Sequence, residues 1–328
     1  MELNRIYNED CLVGMKRIPD KSIDMILCDL PYAMTDNDWD VIIPFEPLWR
    51  QYDRIIKDCG VIALTGSQPF TTLLGASNLK KLRYGLVWEK NNGTNYLQVK
   101  KQPFKVHEDI LIFYDDKSTV VGKTDALKEV RDYLKNERDL TGLKSKEIET
   151  LLGNKMGRHY FTDSNSFSIP SKKDYEKLQS TGYFQRDHDE LKKATEGLRF
   201  TYNPQMSDGK PLARKRNTPS KGQMLLWDQT VVEEAIDKNE GKYYPTTIIK
   251  AEREIGLHPT QKPVSLFEWL IKTYSNKGET ILDNCMGSGT TAIAAMNTGR
   301  NFIGFEKDET YYKLATQRIE DHKGVVGV

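Results

Sequence analysis

TILDNCMGSGTTAIAAM, residues 280–296, joins a short apolar strand, a turn that contains Gly287 and Gly289, and an apolar helix. Glycines at such a turn let the backbone bend tightly and come close to a ligand, because they carry no Cβ. The amino end of the following helix favours a negatively charged group such as a carboxylate. Glu306 ends the next apolar segment, where an acid can accept both hydroxyl hydrogens of a ribose. The pattern predicts a nucleoside ligand with an anionic end.

Three classes of ligand fit a glycine turn between a strand and a helix. A nucleoside triphosphate would need a lysine directly after the glycines, and Thr290 stands there. A dinucleotide turn normally has a third glycine, where this chain has Ala292. An adenosyl amino acid has no pyrophosphate and can be bound without that glycine. For the turn alone, a tight connection that binds nothing remains open.

Apolar segments and helical patterns alternate at both ends of the chain. Strands are predicted near residues 23–28, 61–65, 84–88, 109–114, 280–282 and 301–305, and helices near 44–57, 264–274 and 290–296. Such alternation predicts an α/β fold with a mainly parallel sheet and helices on both faces. Because the middle of the chain is polar, we divide it into a core of residues 1–115 and 251–328 and an inserted region of residues 116–250.

The net charge of +1 hides two strongly basic stretches. Residues 80–105 and residues 155–221 each carry a net charge of +6. Basic surfaces bind phosphates locally, because salt screens charges beyond about 10 Å. The basic residues of the insertion that we predict to contact DNA are Lys155, Arg158, Arg214, Lys215 and Arg216. A solvated, highly charged insertion is the alternative that charge alone leaves open.

Two segments of the insertion have specific patterns. Residues 145–152, Gly153-Asn154 and residues 155–161 follow the outline of a helix-turn-helix, although an ordinary helical hairpin has the same outline. Residues 210–221, KPLARKRNTPSK, contain five basic residues and two prolines and predict a mobile basic loop. We expect the DNA contacts of the insertion in these two segments.

Composition excludes several classes of protein. No apolar run approaches the ~20 residues that a helix needs to cross a bilayer, and the first residues, MELNR, lack the apolar segment of a secretory signal. The cysteines are scattered, with no C-x-x-C pair, and the five histidines do not cluster. We therefore expect a reduced, cytoplasmic protein without disulfides, metal sites or membrane segments.

A second motif, Asp29-Leu30-Pro31-Tyr32, follows the predicted strand at residues 23–28. Enzymes with parallel sheets place their chemistry at such strand ends. The chain resembles the beta-class amino DNA methyltransferases of bacterial or phage type, whose signatures are D/N/S-P-P-Y/F and D-P-F-x-G-S-G. The segments that carry the resemblance are DLPY (29–32), DNCMGSG (283–289), HPTQKP (258–263), FE (305–306) and NEDC (8–11). Their order, catalytic first and cofactor turn last, implies a Rossmann-like methyltransferase fold with circularly permuted motifs and a polar inserted target-recognition region.

The resemblance implies S-adenosylmethionine as the cofactor and assigns residues to two groups. The catalytic residues would be Asp29, Leu30, Pro31 and Tyr32. The cofactor-binding residues would be Asp10, Cys11, Asp29, Lys262, Asp283, Cys285, Gly287, Ser288, Gly289, Thr290 and Glu306. Lys262 would suit the cofactor carboxylate. Taken singly, Asp29 and Asp10 also suit helix caps, Tyr32 a core aromatic, and Glu306 and Lys262 solvated charges.

The chemistry of amino methylation explains the catalytic motif. The lone pair of an aromatic amino group is delocalised, so Asp29 and the Leu30 carbonyl would each accept one N–H and direct the lone pair towards the methyl sulfonium. Tyr32 would stack on a base that has left the duplex. We expect methylation of adenine N6 in double-stranded DNA, because an acidic first residue resembles the adenine-modifying branch of the family.

Other functions stay open at this point. Methylation of cytosine N4 is the nearest alternative. A catalytically inactive DNA-binding protein on the same fold is a second, because Leu30 replaces a proline and Asn284-Cys285 replace the usual Pro-Phe. A nicotinamide oxidoreductase is a more remote third. The resemblance also allows a homodimer and a cognate restriction endonuclease as partners.

Overall fold

An eight-stranded sheet forms the core of the protein, which we describe from a computed structural model. The structure describes residues 1–34, 37, 40–94, 99–115, 125–164, 166–193, 200–215, 236–239, 241–254 and 261–326. From one edge to the other the strands are β1 (Arg5–Asn8), β12 (Asn301–Glu306), β11 (Thr280–Asp283), β2 (Ile23–Cys28), β3 (Ile56–Gly66), β5 (Lys105–Phe113), β4 (Leu82–Thr94) and β10 (Ile248–Lys250). β5 runs antiparallel to both neighbours, and the other pairs of this sheet are parallel. The predicted α/β fold with a mainly parallel sheet is confirmed.

Helices cover both faces of the sheet. One face carries α1 (Cys11–Gly14), α2 (Phe45–Ile55) and α3 (Phe70–Ser77), and the other carries α9 (Val264–Tyr274), α10 (Thr290–Thr298) and α11 (Glu309–Val326). Along β3, Val61 and Ala63 belong to one apolar core, whereas Ile62 and Leu64 belong to the other. Successive side chains of a strand point to opposite faces, so a strand buried on both faces needs an unbroken apolar run.

The boundary between α2 and β3 corrects the sequence prediction. The sequence predicts a helix over residues 44–57, but α2 ends at Ile55 and β3 begins at Ile56. Ile56 pairs with Ile23 of β2, so strand pairing overrides the helical spacing of the apolar residues. Gly60 lies inside the strand, where a Cβ would come within 2.8 Å of the Asp24 carbonyl oxygen.

Part of the insertion folds as a helical unit with its own apolar core. Its helices are α4 (Asp125–Thr141), α5 (Ser145–Leu152), α6 (Gly157–Tyr160), α7 (Lys172–Gln179) and α8 (His188–Lys193). Leu134, Tyr175 and Leu191, from three different helices, are completely buried in this core. The sequence indicates only short apolar patches here, because the contributing residues lie far apart and meet only when the helices pack.

The predicted helix-turn-helix is present only in outline. α5 matches the first predicted helix and is followed by Gly153, whose φ of +72° forms the turn. The second helix is predicted over residues 155–161, but α6 has only four residues. Asn154 accounts for the difference, because its side chain accepts the N–H two residues later at 2.8 Å and donates to the buried Asp174 at 3.2 Å. These bonds keep Lys155 in the turn.

The insertion is less extensive than residues 116–250. β10 pairs with β4 in the core sheet, so the last three residues of the predicted insertion belong to the core. Phe200 stacks on Tyr114 with ring centroids 4.1 Å apart, and Asn203 donates to carbonyls at the end of α9. Two small ribbons lie between these contacts, β6 (Ser207–Asp208) with β9 (Lys242–Tyr243) and β7 (Leu212–Lys215) with β8 (Ile236–Asn239). The predicted basic loop thus contains strand β7, and its residues 216–221 lie outside the described residues.

Three observations concern special features of the described residues. None of their helices is both long and apolar enough to span a bilayer. No group of three or more His, Cys, Asp or Glu side chains among them is arranged to hold a metal ion. All four cysteines are free thiols.

Candidate active site

A cavity of about 700 Å³ lies at the carboxyl ends of β2, β11 and β12. This volume suits a ligand the size of a nucleoside cofactor. The pairing of β11 with β2 brings together the two motifs from opposite ends of the chain. The predicted site residues that line the cavity are Asp10, Cys11, Asp29, Leu30, Pro31, Tyr32, Lys262, Asp283, Cys285, Gly287, Ser288, Thr290 and Glu306.

The Asp29 carboxylate lies at the end of β2 and is held by three side chains. Oδ1 accepts hydrogen bonds from the Tyr32 hydroxyl, at 2.5 Å, and from the Thr65 hydroxyl. Oδ2 accepts a hydrogen bond from Lys262 Nζ at 2.5 Å. A carboxylate oxygen can accept two hydrogen bonds, so Oδ2 keeps one acceptor position. With 22% of its side chain exposed, Asp29 has a fixed orientation and remains accessible from the cavity.

Thr65 and Glu108 are functional candidates that sequence reasoning missed. Thr65 lies near the end of β3, next to β2, and is buried. Its position at the end of a predicted strand was a usable signal. Glu108 lies in β5, and its Oε2 is 3.3 Å from Lys262 Nζ. No sequence pattern places Glu108 near Asp29, because the strand order β2-β3-β5 is set by long-range pairing.

Tyr32 is held in place on several sides. Its ring stacks on Phe70 with centroids 5.0 Å apart, and Lys262 Nζ lies 5.6 Å from its centroid. Burial, together with the carboxylates of Asp29 and Glu108, raises the pKa of Tyr32 well above its usual value. The hydroxyl therefore stays protonated and donates to Asp29. Both interpretations of Tyr32 apply in part, since the ring packs like a core aromatic and also borders the cavity.

Asp40 fixes the backbone that follows the catalytic motif. Its carboxylate accepts the backbone N–H groups of Tyr32, Ala33 and Met34 at 2.7, 2.8 and 2.9 Å. Ala33 has a φ of +53°, which is a strained value for a residue with a Cβ. Three hydrogen bonds to one buried carboxylate hold this conformation. Sequence reasoning missed Asp40 because the bonds depend on the path of the loop.

Glu306 and Gly287 join the end of β12 to the glycine turn. Glu306 Oε2 accepts the N–H of Gly287 at 2.7 Å, and Oε1 accepts the N–H of Asp308 at 2.8 Å. Burial raises the pKa of Glu306. Gly287 has a φ of +52°, and a Cβ there would meet no protein atom within 4 Å. The turn thus leaves free space beside a carboxylate that still has acceptor positions.

Gly289 has a packing role at the start of α10. It has a φ of +83°, and a Cβ there would lie 3.2 Å from the Cβ of Ala315 in α11. The close approach of α11 explains why a glycine stands at this predicted cofactor-binding position. Its contact with a cofactor stays a prediction.

Asp283 and Asn284 form the buried base of the turn. Asp283 accepts hydrogen bonds from the Thr291 hydroxyl and, at 3.0 Å, from the N–H of Cys285. Burial raises the pKa of Asp283 to about 6. Asn284 accepts from the Tyr52 hydroxyl at 2.5 Å. The residue that departs from the family motif thus has its own buried hydrogen-bond partner.

Asp10 and Cys11 border the cavity at the start of α1. Asp10 caps this helix by accepting the N–H groups of Leu12 and Val13 at 2.9 and 3.3 Å, which confirms the capping alternative. It also lines the cavity, so the cap does not exclude a ligand contact. Contact with the Cys285 thiol and burial raise the pKa of Cys11, so this thiol stays protonated.

The predicted DNA contacts are described only in part. Lys155 and Arg158 are exposed, in the turn before α6 and in α6 itself. Arg214 and Lys215 lie in β7, but their side chains are outside the described part of the structure, as is all of Arg216. The motif residues His258, Pro259 and Thr260 also lie outside the described residues.

Sequence comparison gives a family and several partial relatives. The family model for N6/N4 DNA methylases matches residues 23–317. The Type II methyltransferase M2.DpnII of Streptococcus pneumoniae is 45% identical over 71 residues, which are 22% of this chain and 26% of that protein. The Type II methyltransferase M.BglI of Bacillus subtilis is 48% identical over 72 residues, 22% of this chain and 21% of that protein. The matches therefore span about a quarter of the length of these relatives.

Comparison with solved structures gives matches that are distant in sequence. A crystal structure of an M1.HpyAVI–SAM complex aligns with a TM-score of 0.49 and 18% identity, covering 96% of this chain and 98% of that chain. The cytosine-N4-specific PvuII DNA methyltransferase aligns with a TM-score of 0.48 and 10% identity, covering 97% of this chain and 90% of that chain.

Proposed function

This chain belongs to the N6/N4 DNA methylase family, and on that premise we propose that it transfers a methyl group from S-adenosylmethionine to an exocyclic amino group in double-stranded DNA. The observation that supports this proposal is one cavity shared by the motif at residues 29–32 and the glycine turn. Hydrogen-bond acceptors for an amino group lie on one wall of this cavity, and an acceptor for a ribose lies on another wall. The DNA base and S-adenosylmethionine would therefore meet between the two walls.

The residues at the glycine turn fit S-adenosylmethionine. Two backbone N–H groups hold the Glu306 carboxylate, whose remaining lone pairs can accept the ribose hydroxyls. Gly287 leaves room for the ligand. Ser288 and Thr290 lie at the start of α10, whose amino end favours the carboxylate of the cofactor. The further residues that we assign to this pocket are Asp10, Cys11, Asp283, Cys285 and Gly289.

Asp29 and the Leu30 carbonyl would prepare the target amino group. Bound S-adenosylmethionine supplies a methyl group on a sulfonium sulfur. Asp29 Oδ2 and the Leu30 carbonyl would accept the two N–H bonds and so direct the nitrogen lone pair. Leucine offers the same carbonyl as proline, so we expect an active enzyme rather than an inactive DNA-binding protein. Pro31 restricts its own φ within the motif, and Tyr32 would stack on the extruded base.

We propose adenine N6 as the acceptor, with cytosine N4 as the second candidate. The acidic first residue of the motif resembles the adenine-modifying branch of the family. Both bases present an amino group with two N–H bonds, so the acceptors at Asp29 and Leu30 suit either one. Mass spectrometry of nucleosides from methylated DNA distinguishes the two products.

DNA would be held by basic residues of the insertion. We assign phosphate contacts to the exposed Lys155 and Arg158 and to Arg214, Lys215 and Arg216. A homodimer, a cognate restriction endonuclease and a cytoplasmic location are further proposals that rest on the family resemblance and the composition.

Methyl transfer from labelled S-adenosylmethionine to unmethylated genomic DNA tests the proposed function. We expect label in the DNA with the wild-type protein. Binding of cofactor and DNA without any transfer would instead support the inactive DNA-binding protein. A folded protein without affinity for S-adenosylmethionine would refute the proposal as a whole.

A further inference from the structure

Lys262 contacts two carboxylates at the wall of the cavity. Its Nζ lies 2.5 Å from Asp29 Oδ2 and 3.3 Å from Glu108 Oε2, and only 4% of its side chain is exposed. The family resemblance instead predicts Lys262 as a ligand of the cofactor carboxylate. A third carboxylate would have to compete with two that already lie within ion-pair distance.

The segment that carries Lys262 has a fixed position. Glu254 accepts the N–H of Val264 at 2.8 Å and the side-chain amide of Gln261 at 3.0 Å. The Thr290 hydroxyl donates to the Lys262 carbonyl at 3.3 Å. The lysine side chain therefore starts from an anchored backbone and reaches across to the end of β2.

Glu108 links Lys262 to a second buried lysine. Glu108 Oε1 accepts a hydrogen bond from Lys90 Nζ, so the group contains two carboxylates and two ammonium groups. Burial opposes the charge on Lys262, but Asp29 and Glu108 outweigh it and raise the pKa of Lys262. Burial also opposes the charge on Glu108, but Lys262 and Lys90 lower its pKa. Both shifts favour the charged form, so the charges of Lys262 and Glu108 compensate each other.

We propose that Lys262 and Glu108 are positioning residues for Asp29, and that Lys262 does not bind the cofactor. Lys262 holds Oδ2, and the two hydroxyl donors hold Oδ1, so the carboxylate cannot rotate when the target amino group arrives. Glu108 cancels the lysine charge, which matters because the amino nitrogen gains positive charge as it is methylated. This inference rests on the proposed methyl transfer.

The variant Lys262→Met tests whether the lysine positions Asp29 or binds the cofactor. Methionine keeps the apolar length of the side chain and removes its charge. We expect the single-turnover rate of methyl transfer to fall about 10²-fold, the size of effect seen when a preorganised polar contact is lost. The dissociation constants for S-adenosylhomocysteine and for 5′-methylthioadenosine, which lacks the amino-acid group, should each change less than about threefold. A selective loss of affinity for S-adenosylhomocysteine with an unchanged rate would overturn the proposal.

Lys81→Met is the matched control for removing a buried lysine charge. Lys81 Nζ also contacts two carboxylates, Asp53 at 2.5 Å and Asp115 at 3.1 Å, and it lies outside the cavity lining. We expect the folded control to keep the wild-type single-turnover rate. An equal loss of rate in both variants would mean that the effect of Lys262→Met is general destabilisation, and would contradict the proposal.

Glu108→Gln tests the charge balance. Loss of one charge this close to the reacting nitrogen, at an effective dielectric constant of about 20, changes a rate by about tenfold or more, and we expect a slowing of that size. The double variant with Lys262→Met should be no slower than Lys262→Met alone, because the lysine charge is then absent. Multiplicative losses would contradict coupling through Lys262. A wild-type protein without methyl transfer would instead refute the proposed function itself.

Discussion

The Asp29 carboxylate receives three side-chain hydrogen bonds and still offers one acceptor position to the cavity. We expect Asp29→Ala to slow methyl transfer by about 10²-fold or more, because it removes an acceptor for the target amino group. Cofactor affinity should stay within about tenfold, as measured by titration calorimetry. Asp20→Ala, at an exposed position, is the control. More than about a tenth of the wild-type rate in the Asp29 variant would exclude the assigned role.

Glu306 and Gly287 are expected to control cofactor affinity rather than chemistry. Glu306→Ala leaves ribose hydroxyls and two backbone N–H groups without their acceptor, at a cost of about 1–3 kcal/mol. Gly287→Val places a side chain in the free space of the turn and a Cβ at a positive φ. Calorimetry should show weaker S-adenosylmethionine binding in both folded variants. Unchanged affinity in both variants would show that the cofactor does not bind at this turn.

The loop after β2 is the element whose conformation depends most on one side chain. Asp40→Ala leaves three backbone N–H groups without their acceptor and releases Ala33 from its positive φ. We expect slower single-turnover methyl transfer with cofactor affinity nearly unchanged. Adding Ala33→Gly, which tolerates a positive φ, should restore part of the rate. Weaker cofactor binding with an unchanged rate would show that the loop serves the other wall of the cavity.

The turn between β11 and α10 should make stability depend on pH through Asp283. Its pKa is about 6 in the folded protein, against an ordinary value of 3.8 for an aspartate side chain. The folded state then binds more protons at Asp283 between these values, so the contribution of Asp283 to stability is most favourable below pH 4 and falls by about 3 kcal/mol as the pH rises to 6. Asp283→Asn should lack this contribution. Denaturant unfolding of both proteins from pH 4 to pH 7.5 gives their free energies of unfolding, and we expect the difference between the two to change mainly below pH 6. A difference that stays constant over this range would contradict the burial of an ionisable Asp283 near Cys28 and Asp29.

Elements also show where sequence reasoning succeeds and where it stops. The glycine turn and residues 29–32 are local motifs, and each follows a largely apolar strand, so their place at strand ends is predictable. Thr65 and Glu108 approach Asp29 only because β3 and β5 follow β2 in the sheet. Helix spacing continues past Ile55, but pairing with β2 begins one residue later. Long-range pairing sets these features, and a local pattern does not contain it.

For the molecule as a whole, the insertion should supply the electrostatic part of DNA binding. Neutralising Arg214, Lys215 and Arg216 together should weaken binding to all duplexes, and each lost phosphate contact lowers the log–log salt slope by about 0.9. Neutralising Lys155 and Arg158 should give a second, separate reduction of this salt slope. Exposed basic residues of the core, Arg50, Lys57 and Lys313, serve as the control set. An unaltered slope in the insertion variants would show that these residues are solvated and do not contact DNA phosphates.

The architecture of the insertion was the least predictable part of the whole molecule. Its charge is visible in the sequence, but the apolar core of α4 to α8 comes from residues spread over several short helices. By contrast, the core fold and its motif order follow from long apolar strands and two local motifs. The difference arises because a strand buried on both faces leaves a continuous apolar run, whereas small packed helices leave only isolated apolar residues.

Nucleoside analysis after reaction with S-adenosylmethionine tests the central claim most directly. Unmethylated duplex DNA is incubated with wild-type protein or with Asp29→Ala, digested to nucleosides and separated by mass spectrometry. We predict N6-methyladenine with the wild-type protein and at least about 10²-fold less with the variant. Detection of N4-methylcytosine alone would change the assigned target base from adenine to cytosine, and the assignment of amino methylation would stand. No methylated base, or one methylated on carbon, would contradict the account.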